Sequence, residues 1–169
     1  MNESLLRELA AKEAIRKVLY TYCRALDRMD RPLASTVWHP GATAHYDGIF
    51  EGTGEGFLDW VWESHAGMDR HSHQITNTLI EVDGDHATSE AYVTVTLWTR
   101  ADSQGGQHEV VARGRYIDQM ECRDGVWAIA HRLHLLDQSS LHAPTVLPVS
   151  EGSRRTKGDG SYAILGHAP

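Results

Sequence analysis

Apolar residues recur at helical spacing through the first part of the chain. This spacing predicts an amphipathic helix from Ser4 to about Met29. Its apolar positions are Leu5, Leu6, Leu9, Ile15, Val18, Leu19, Tyr22 and Leu26. Asp27 lies about 140° around the helix from Tyr22, so it flanks the apolar stripe. On the residues alone, Asp27 is either a solvated acid beside neighbouring arginines or an acid that needs a hydrogen-bonding partner.

Shorter elements follow this helix. A second helix is predicted over residues 32–38, with a proline in its first turn. An Asp-Gly turn then joins two short strands, over residues 42–46 and 49–52. A third helix is predicted over residues 57–67, and its entry lies near Thr53.

The second half of the chain alternates apolar and polar positions as strands do. Four long strands are predicted over residues 71–82, 87–100, 109–122 and 126–136. Tight turns rich in Asp and Gly separate them, so the strands form an antiparallel meander. Helices followed by a run of strands indicate an α+β domain. We expect a curved, mostly antiparallel sheet wrapped around the long N-terminal helix, forming a cone with one open mouth.

The strand that begins at His71 carries the candidate chemistry. Residues two apart on a strand share a face, so one face holds His71, His73, Ile75, Asn77 and Leu79. Two imidazoles and an amide need hydrogen-bonding partners if this face is buried. Histidine also titrates near neutral pH, which suits it to proton transfer.

A metal site is the alternative interpretation of the paired histidines. A third ligand would have to come from His45, His131 or His134. No carboxylate or cysteine spacing accompanies the pair, so we predict a site without metal. His71 is expected at the mouth of the cone.

Composition narrows the functional classes. The chain has 169 residues, of which 41% are hydrophobic and 23% charged, as in one globular domain. A formal net charge of -7 without a basic patch disfavours nucleic-acid binding. Residues 1–11 contain no apolar secretory core and no stretch is long enough for a membrane span, so a cytoplasmic protein is expected. Cys23 and Cys122 are interpreted as reduced thiols, with a single disulfide as the alternative.

Three motifs resemble the SnoaL-like branch of the nuclear transport factor and ketosteroid isomerase superfamily. They are Tyr22-Cys-Arg-Ala-Leu-Asp27, His73-Gln-Ile-Thr-Asn77 with Glu81-Val-Asp-Gly-Asp85, and Gly114-Arg-Tyr116 followed by Arg123-Asp-Gly-Val-Trp127, Ile129 and Arg132. The resemblance covers residues 4–137 and implies a cone-shaped α+β barrel. It divides the chain into a domain over residues 1–137 and a C-terminal arm or tail over residues 138–169. An apolar patch at 162–165 either docks on a neighbouring subunit or belongs to a mobile end.

The resemblance also implies an activity. Within the branch, the arrangement resembles the scytalone dehydratase, hexachlorocyclohexane dehydrochlorinase and bile acid 7α-dehydratase families, which use a His-Asp dyad without metal or organic cofactor. The dyad falls on His73 and Asp27, and the tyrosine of the dehydratases falls on Tyr22. A lyase is therefore expected that removes a proton and eliminates water, halide or another β leaving group. Its substrate would be a hydrophobic cyclic or aromatic small molecule.

Further residues are candidates for substrate binding. Arg132, and less so Arg115, would stabilise negative charge, although both also suit ion pairs on the outer sheet face. Tyr46 and Trp98 would line the pocket with Asn77, and ordinary aromatic packing is the alternative for the two rings. A homodimer or homotrimer is expected from the resemblance.

Other functions on the same pocket stay open from the sequence. They are a C–C lyase, an isomerase, a polyketide cyclase and a non-catalytic binding or assembly domain.

Overall fold

The computed structural model describes residues 3–103, 105–143 and 149–165. These described residues form four helices: α1 (Glu3–Asp27), α2 (Arg31–Ser35), α3 (Gly54–Ala66) and α4 (Gly160–Leu165). Six strands are formed: β1 (Trp38–Tyr46), β2 (Phe50–Thr53), β3 (Met68–Asp83), β4 (His86–Thr99), β5 (Glu109–Arg123) and β6 (Val126–His142).

The six strands form one mixed sheet. Their order is β2-β1-β6-β5-β4-β3, in which β1 and β6 run parallel and every other pair is antiparallel. In the described part of the chain β2 and β3 do not pair, so the sheet stays open. Helix α1 packs against β3 and β6, and its buried face begins at Ala11. This arrangement confirms the predicted α+β cone with a mostly antiparallel sheet around a long N-terminal helix.

The predicted bounds differ from the observed ones most at helix α2 and strand β6. Helix α2 ends at Ser35, and Trp38 begins a strand, because the Val37 carbonyl accepts the Ile129 amide across the sheet (2.9 Å). Strand β6 continues to His142, because Gln138 to His142 pair with β5. The first turns of α1 project beyond its packed part, so three leucines of the predicted apolar stripe are about half exposed: Leu5, Leu6 and Leu9.

The remaining C-terminal segment is described over residues 149–165, called the C-terminal arm below. It includes helix α4, in which Ile164 and Leu165 are exposed. The predicted arm's residues 144–148 and 166–169 lie outside the described residues. Both cysteine thiols, on Cys23 and Cys122, are free.

An ion pair lies at the centre of the core. Arg132 on β6 and Asp118 on β5 are opposite each other in the register and almost fully buried. The guanidinium donates from Nε and Nη2 to the two carboxylate oxygens, each at 2.7 Å. Charged groups in a core require such pairing, because desolvation of a lone charge costs several kcal/mol.

Replacing Asp118 with Ala is expected to destabilise the fold strongly, because the buried Arg132 charge would lose its partner. We expect a loss of about 3–5 kcal/mol in the free energy of unfolding, measured by urea denaturation. The matched control is Asp137→Ala, which breaks the exposed pair of Arg115 with Asp137 between the same two strands (2.9 Å). Equal losses for the two variants would contradict this account.

Three inward-facing histidines are held neutral by burial. Burial lowers the pKa of His65 to about 2 and the pKa values of His71 and His134 to about 4. The unfolded chain binds protons on these imidazoles from about pH 6.5 downward, whereas the folded chain does not. Their contribution to stability is therefore complete above that pH and declines as the pH falls towards 4.

The free energy of unfolding should thus fall between pH 6.5 and 5, where few carboxyl groups titrate. Each histidine adds up to about 1.4 kcal/mol per pH unit to the slope. Urea denaturation at several pH values measures this slope. In His134→Gln the slope should be lower by the contribution of one histidine. A flat profile over this range would show that the three imidazoles are not held neutral.

Candidate functional site

The last turn of α1 meets β3 through one acid and one histidine. Asp27 Oδ1 lies 2.6 Å from His73 Nδ1. The backbone amide of His73 also donates to both carboxylate oxygens, at 3.1 and 3.0 Å. Asp27 therefore orients both the main chain and the ring of His73. The side chains are 14% and 3% exposed, so water competes little for this bond.

The Asp27 bond decides which ring nitrogen of His73 is available for chemistry. A carboxylate only accepts, so Nδ1 carries the proton. Nε2 then holds the lone pair, and no described residue forms a hydrogen bond with it. A cavity of about 290 Å³ adjoins the pair. Its lining residues are Tyr20, Cys23, Arg24, Asp27, Arg28, His73 and Ile75.

Three tyrosines lie together inside the cone. The hydroxyls of Tyr22 and Tyr46 are 3.0 Å apart, and the ring of Tyr116 contacts Tyr22 edge-on at a centroid distance of 5.7 Å. The Tyr22 ring is also 6.4 Å from the His73 ring. Burial raises the pKa of each of the three phenols well above the usual tyrosine range. They therefore remain neutral hydrogen-bond donors.

Arg132 faces the cone interior and not the outer face of the sheet. Its guanidinium carbon lies 4.4 Å from the ring centre of Tyr22 and 4.0 Å from that of Tyr116. Nη1 is buried and has no hydrogen-bond partner among the described residues. Arg132 thus makes cation–π contacts with two of the three tyrosines. Arg115, by contrast, forms an exposed ion pair with Asp137.

Asn77 lies on the exposed face of β3, so its predicted place on the face of His71 and His73 is wrong. The register shifts between Ile75 and Thr78, where three steps along β3 match two along β4. Such a β-bulge exchanges the faces of the residues that follow it. Ile80 is consequently buried, whereas Asn77 and Leu79 are exposed.

Trp98 also lies on the outer face. Strand β4 pairs with β5 without a register shift, so its side chains alternate strictly. Ala91 and Val93 are buried and Val95 packs on the core, which places Trp98 on the opposite side. Its partner on β3 is Arg70. Tyr46, the other proposed wall residue, is buried and stacks on Phe57 at a centroid distance of 4.1 Å.

Two inward-facing groups are not among the predicted catalytic or substrate-binding residues: Asp118 and His134. Asp118 lies two residues after Tyr116 on β5, and both are buried on the same face. Strand alternation alone could have found this acid. His134 is buried and stacks on Tyr46 at 4.8 Å; at sequence level it was only one of several possible metal ligands.

His71 is buried and not at the mouth of the cone. Its Nε2 lies 2.6 Å from the Leu26 carbonyl oxygen. One ring nitrogen of each histidine thus already binds a protein acceptor: His71 Nε2 binds the Leu26 carbonyl, and His73 Nδ1 binds the Asp27 carboxylate. Within the described ranges, no group of three or more His, Cys, Asp or Glu side chains is arranged to hold a metal ion.

The C-terminal arm is fixed to the helix that carries Asp27. Arg24 donates to the Ser161 hydroxyl (3.2 Å) and lies over the Tyr162 ring at 4.6 Å. The Asp159 carboxylate forms an ion pair with the Arg28 guanidinium at 3.3 Å. Arg24 and Arg28 also line the cavity beside the dyad. The arm therefore holds two side chains of the cavity wall.

None of the helices in the described residues is long and apolar enough to cross a membrane.

Comparison with known proteins identifies relatives. The SnoaL-like domain family matches residues 7–133. A solved protein of unknown function from Mycobacterium tuberculosis is 26% identical, with 79% of this chain and 76% of that chain covered and a TM-score of 0.66. A type 3 hexachlorocyclohexane dehydrochlorinase from Novosphingobium barchaimii is 20% identical, with coverages of 86% and 99% and a TM-score of 0.73.

A further solved structure, assigned as a scytalone dehydratase from Novosphingobium aromaticivorans, is 17% identical, with coverages of 85% and 97% and a TM-score of 0.70. No curated protein matches the sequence. At such identities the solved enzymes share the fold with this chain. The family match spans most of the chain and confirms the resemblance of its motifs. The chain belongs to the SnoaL-like domain family.

Proposed function

We propose that the protein is a cofactor-independent lyase acting on a hydrophobic cyclic or aromatic small molecule. The observation that carries the proposal is the 2.6 Å contact between His73 Nδ1 and Asp27 Oδ1 beside a cavity. A passive binding pocket does not need a buried acid that selects one tautomer of a histidine. A base that removes a proton from carbon does need it.

The reaction begins at the free nitrogen of the dyad. His73 Nε2 takes a proton from a substrate carbon, and the carboxylate of Asp27 stabilises the imidazolium that forms. The electron pair of the broken C–H bond forms a C=C bond as the group on the neighbouring carbon leaves. If the leaving group is hydroxide, the proton on Nε2 completes a water molecule. If it is a halide, the proton passes to solvent.

The buried phenols supply hydrogen bonds to developing negative charge. Tyr22 is the phenol for which contact with the His73 ring is observed, so it is proposed to donate to the leaving oxygen or to an enolate oxygen. Tyr46 supports Tyr22 through the hydroxyl contact. Arg132 adds a positive charge behind the ring of Tyr22.

Removing either member of the dyad is expected to abolish most of the activity. A panel of cyclic and aromatic β-hydroxy and β-halo compounds, followed by mass spectrometry, identifies a substrate of the wild-type protein. Against it, His73→Gln and Asp27→Asn should each lower kcat by about 10²–10⁴-fold. His45→Gln is the matched control, because the partly exposed His45 side chain on β1 contacts Glu51 and neither member of the dyad. Full activity of His73→Gln in a folded protein would refute the assignment.

The role of Tyr22 predicts a dependence on the leaving group. Tyr22→Phe removes the hydroxyl and keeps the ring on Arg132, so kcat should fall by about 10-fold or more for hydroxide elimination. The loss should be smaller for the matching halide, which needs no proton. Equal losses for the two substrates would place the hydroxyl at the enolate oxygen, and no loss for either would exclude Tyr22 from the chemistry.

A further inference from the structure

His71 joins β3 to the end of α1 beside the dyad. It is 5% exposed, and its Nε2 lies 2.6 Å from the carbonyl oxygen of Leu26, the residue before Asp27. Its ring stacks on His65 at a centroid distance of 4.3 Å and an angle of 15°. The ring is thus fixed from one side by packing and at one nitrogen by a hydrogen bond.

The tautomer of His71 follows from this partner. A carbonyl oxygen only accepts, so Nε2 carries the proton. Nδ1 then has a buried lone pair without a hydrogen-bond partner among the described residues. Burial lowers the pKa of His71 to about 4, so the imidazole is neutral at physiological pH. It acts as a single, fixed donor, with the opposite tautomer to His73.

The helix end that His71 contacts closes as a Schellman motif with a residue other than glycine at the left-handed position. The amide of Asp30 donates to the Ala25 carbonyl (2.8 Å), and the amide of Met29 donates to the Leu26 carbonyl (2.9 Å). Met29 adopts a φ of 50°. This left-handed position at a helix end normally favours glycine, because a Cβ atom is unfavourable there. The left-handed Met29 weakens the last turn, and contacts from β3 can offset this cost.

We propose that His71 is a positioning residue for Asp27. Two bonds connect β3 to successive residues of α1: His71 to the Leu26 carbonyl, and His73 to the Asp27 carboxylate. Together they prevent the last turn of α1 from moving along or away from the strand. The inference rests on the proposed function for its catalytic meaning, whereas the geometric claim stands by itself.

Three substitutions separate the donor from the packing. Glutamine places its Nε2 where the histidine Nε2 lies, so His71→Gln should keep the bond. Asparagine carries the same amide group one methylene shorter, so His71→Asn should lose it. Phenylalanine keeps the ring on His65 but has no donor. The Gln and Asn variants are the matched pair, because their polarity is the same and only their reach differs.

The readout is the proton NMR resonance of the His73 Nδ1–H group. A short bond to a carboxylate moves this proton far downfield, and Asp27→Asn assigns the signal through its loss. His71→Gln should retain the signal, whereas His71→Asn and His71→Phe should shift it upfield or broaden it by exchange. Wild-type spectra from folded His71→Asn and His71→Phe proteins would overturn the proposal.

A second variant tests the mechanism through the helix end. Glycine adopts the left-handed conformation without strain, so Met29→Gly should restore part of the signal in the His71→Phe background. If His71→Phe does not fold, the Gln and Asn pair decides the question alone. Absence of any restoration in a folded double variant would show that His71 does not act through the last turn.

Activity provides an independent arm. Once a substrate is known, His71→Asn should lower kcat by about 100-fold, because small misplacements of a catalytic group have this effect. His71→Gln should retain a kcat close to that of the wild-type protein. If the NMR signal changes in His71→Asn but the wild-type protein turns over no substrate, the positioning role stands and the lyase function is rejected. If the NMR signal of His71→Asn is unchanged and the wild-type protein turns over its substrate, the lyase function stands and the positioning role is rejected.

Discussion

The bond between Asp27 and His73 is the constraint on which the rest of the site depends. It connects the last turn of a long helix to the interior of an edge strand, two elements that are far apart in sequence. Because the same carboxylate accepts from the backbone amide and the ring of His73, strand and side chain are positioned together. An acid at the end of a helix is disfavoured by the helix dipole. Here hydrogen bonds from β3 offset that cost.

Beyond the dyad, the interior of the cone contains three neutral tyrosine hydroxyls and the buried ion pair of Arg132 with Asp118. Burial keeps the phenols of Tyr22, Tyr46 and Tyr116 protonated, and the pair of Arg132 with Asp118 supports two of these rings. A water-poor interior of this kind strengthens hydrogen bonds to a developing anion. The fold thus places the unbonded ring nitrogen of His73 at the helix end and hydrogen-bond donors deeper in the cone, the arrangement that the proposed elimination would use.

Most of the fold follows from sequence periodicity. The helical spacing up to Tyr22 and Leu26 and the strand alternation from His71 onward predict the elements in their observed order. The pairing of Asp27 with His73 is predicted by the motif resemblance and not by spacing. Helical geometry only placed Asp27 beside the apolar stripe, and a surface acid would have had the same pattern.

All but one of the errors have tertiary causes. No local signal marks the bulge after Ile75, which turns Asn77 to solvent. Trp98 is the exception: its aromatic ring suggests a pocket wall, but strand alternation by itself places it on the outer face. Trp38 joins β1 because its neighbour Val37 bonds to β6, a contact that helix propensity does not contain. The bond from His71 to a main-chain carbonyl is likewise invisible, because any residue at position 26 presents the same oxygen.

The central claim is that His73 takes a proton from carbon, and hydrogen exchange tests it most directly. A substrate analogue that lacks the leaving group can undergo only the proton-transfer step. In deuterated water, the wild-type protein should introduce deuterium at the carbon next to the activating group, and His73→Gln should not. Exchange at the wild-type rate in His73→Gln, or no exchange by a wild-type protein that turns over the true substrate, would contradict the account.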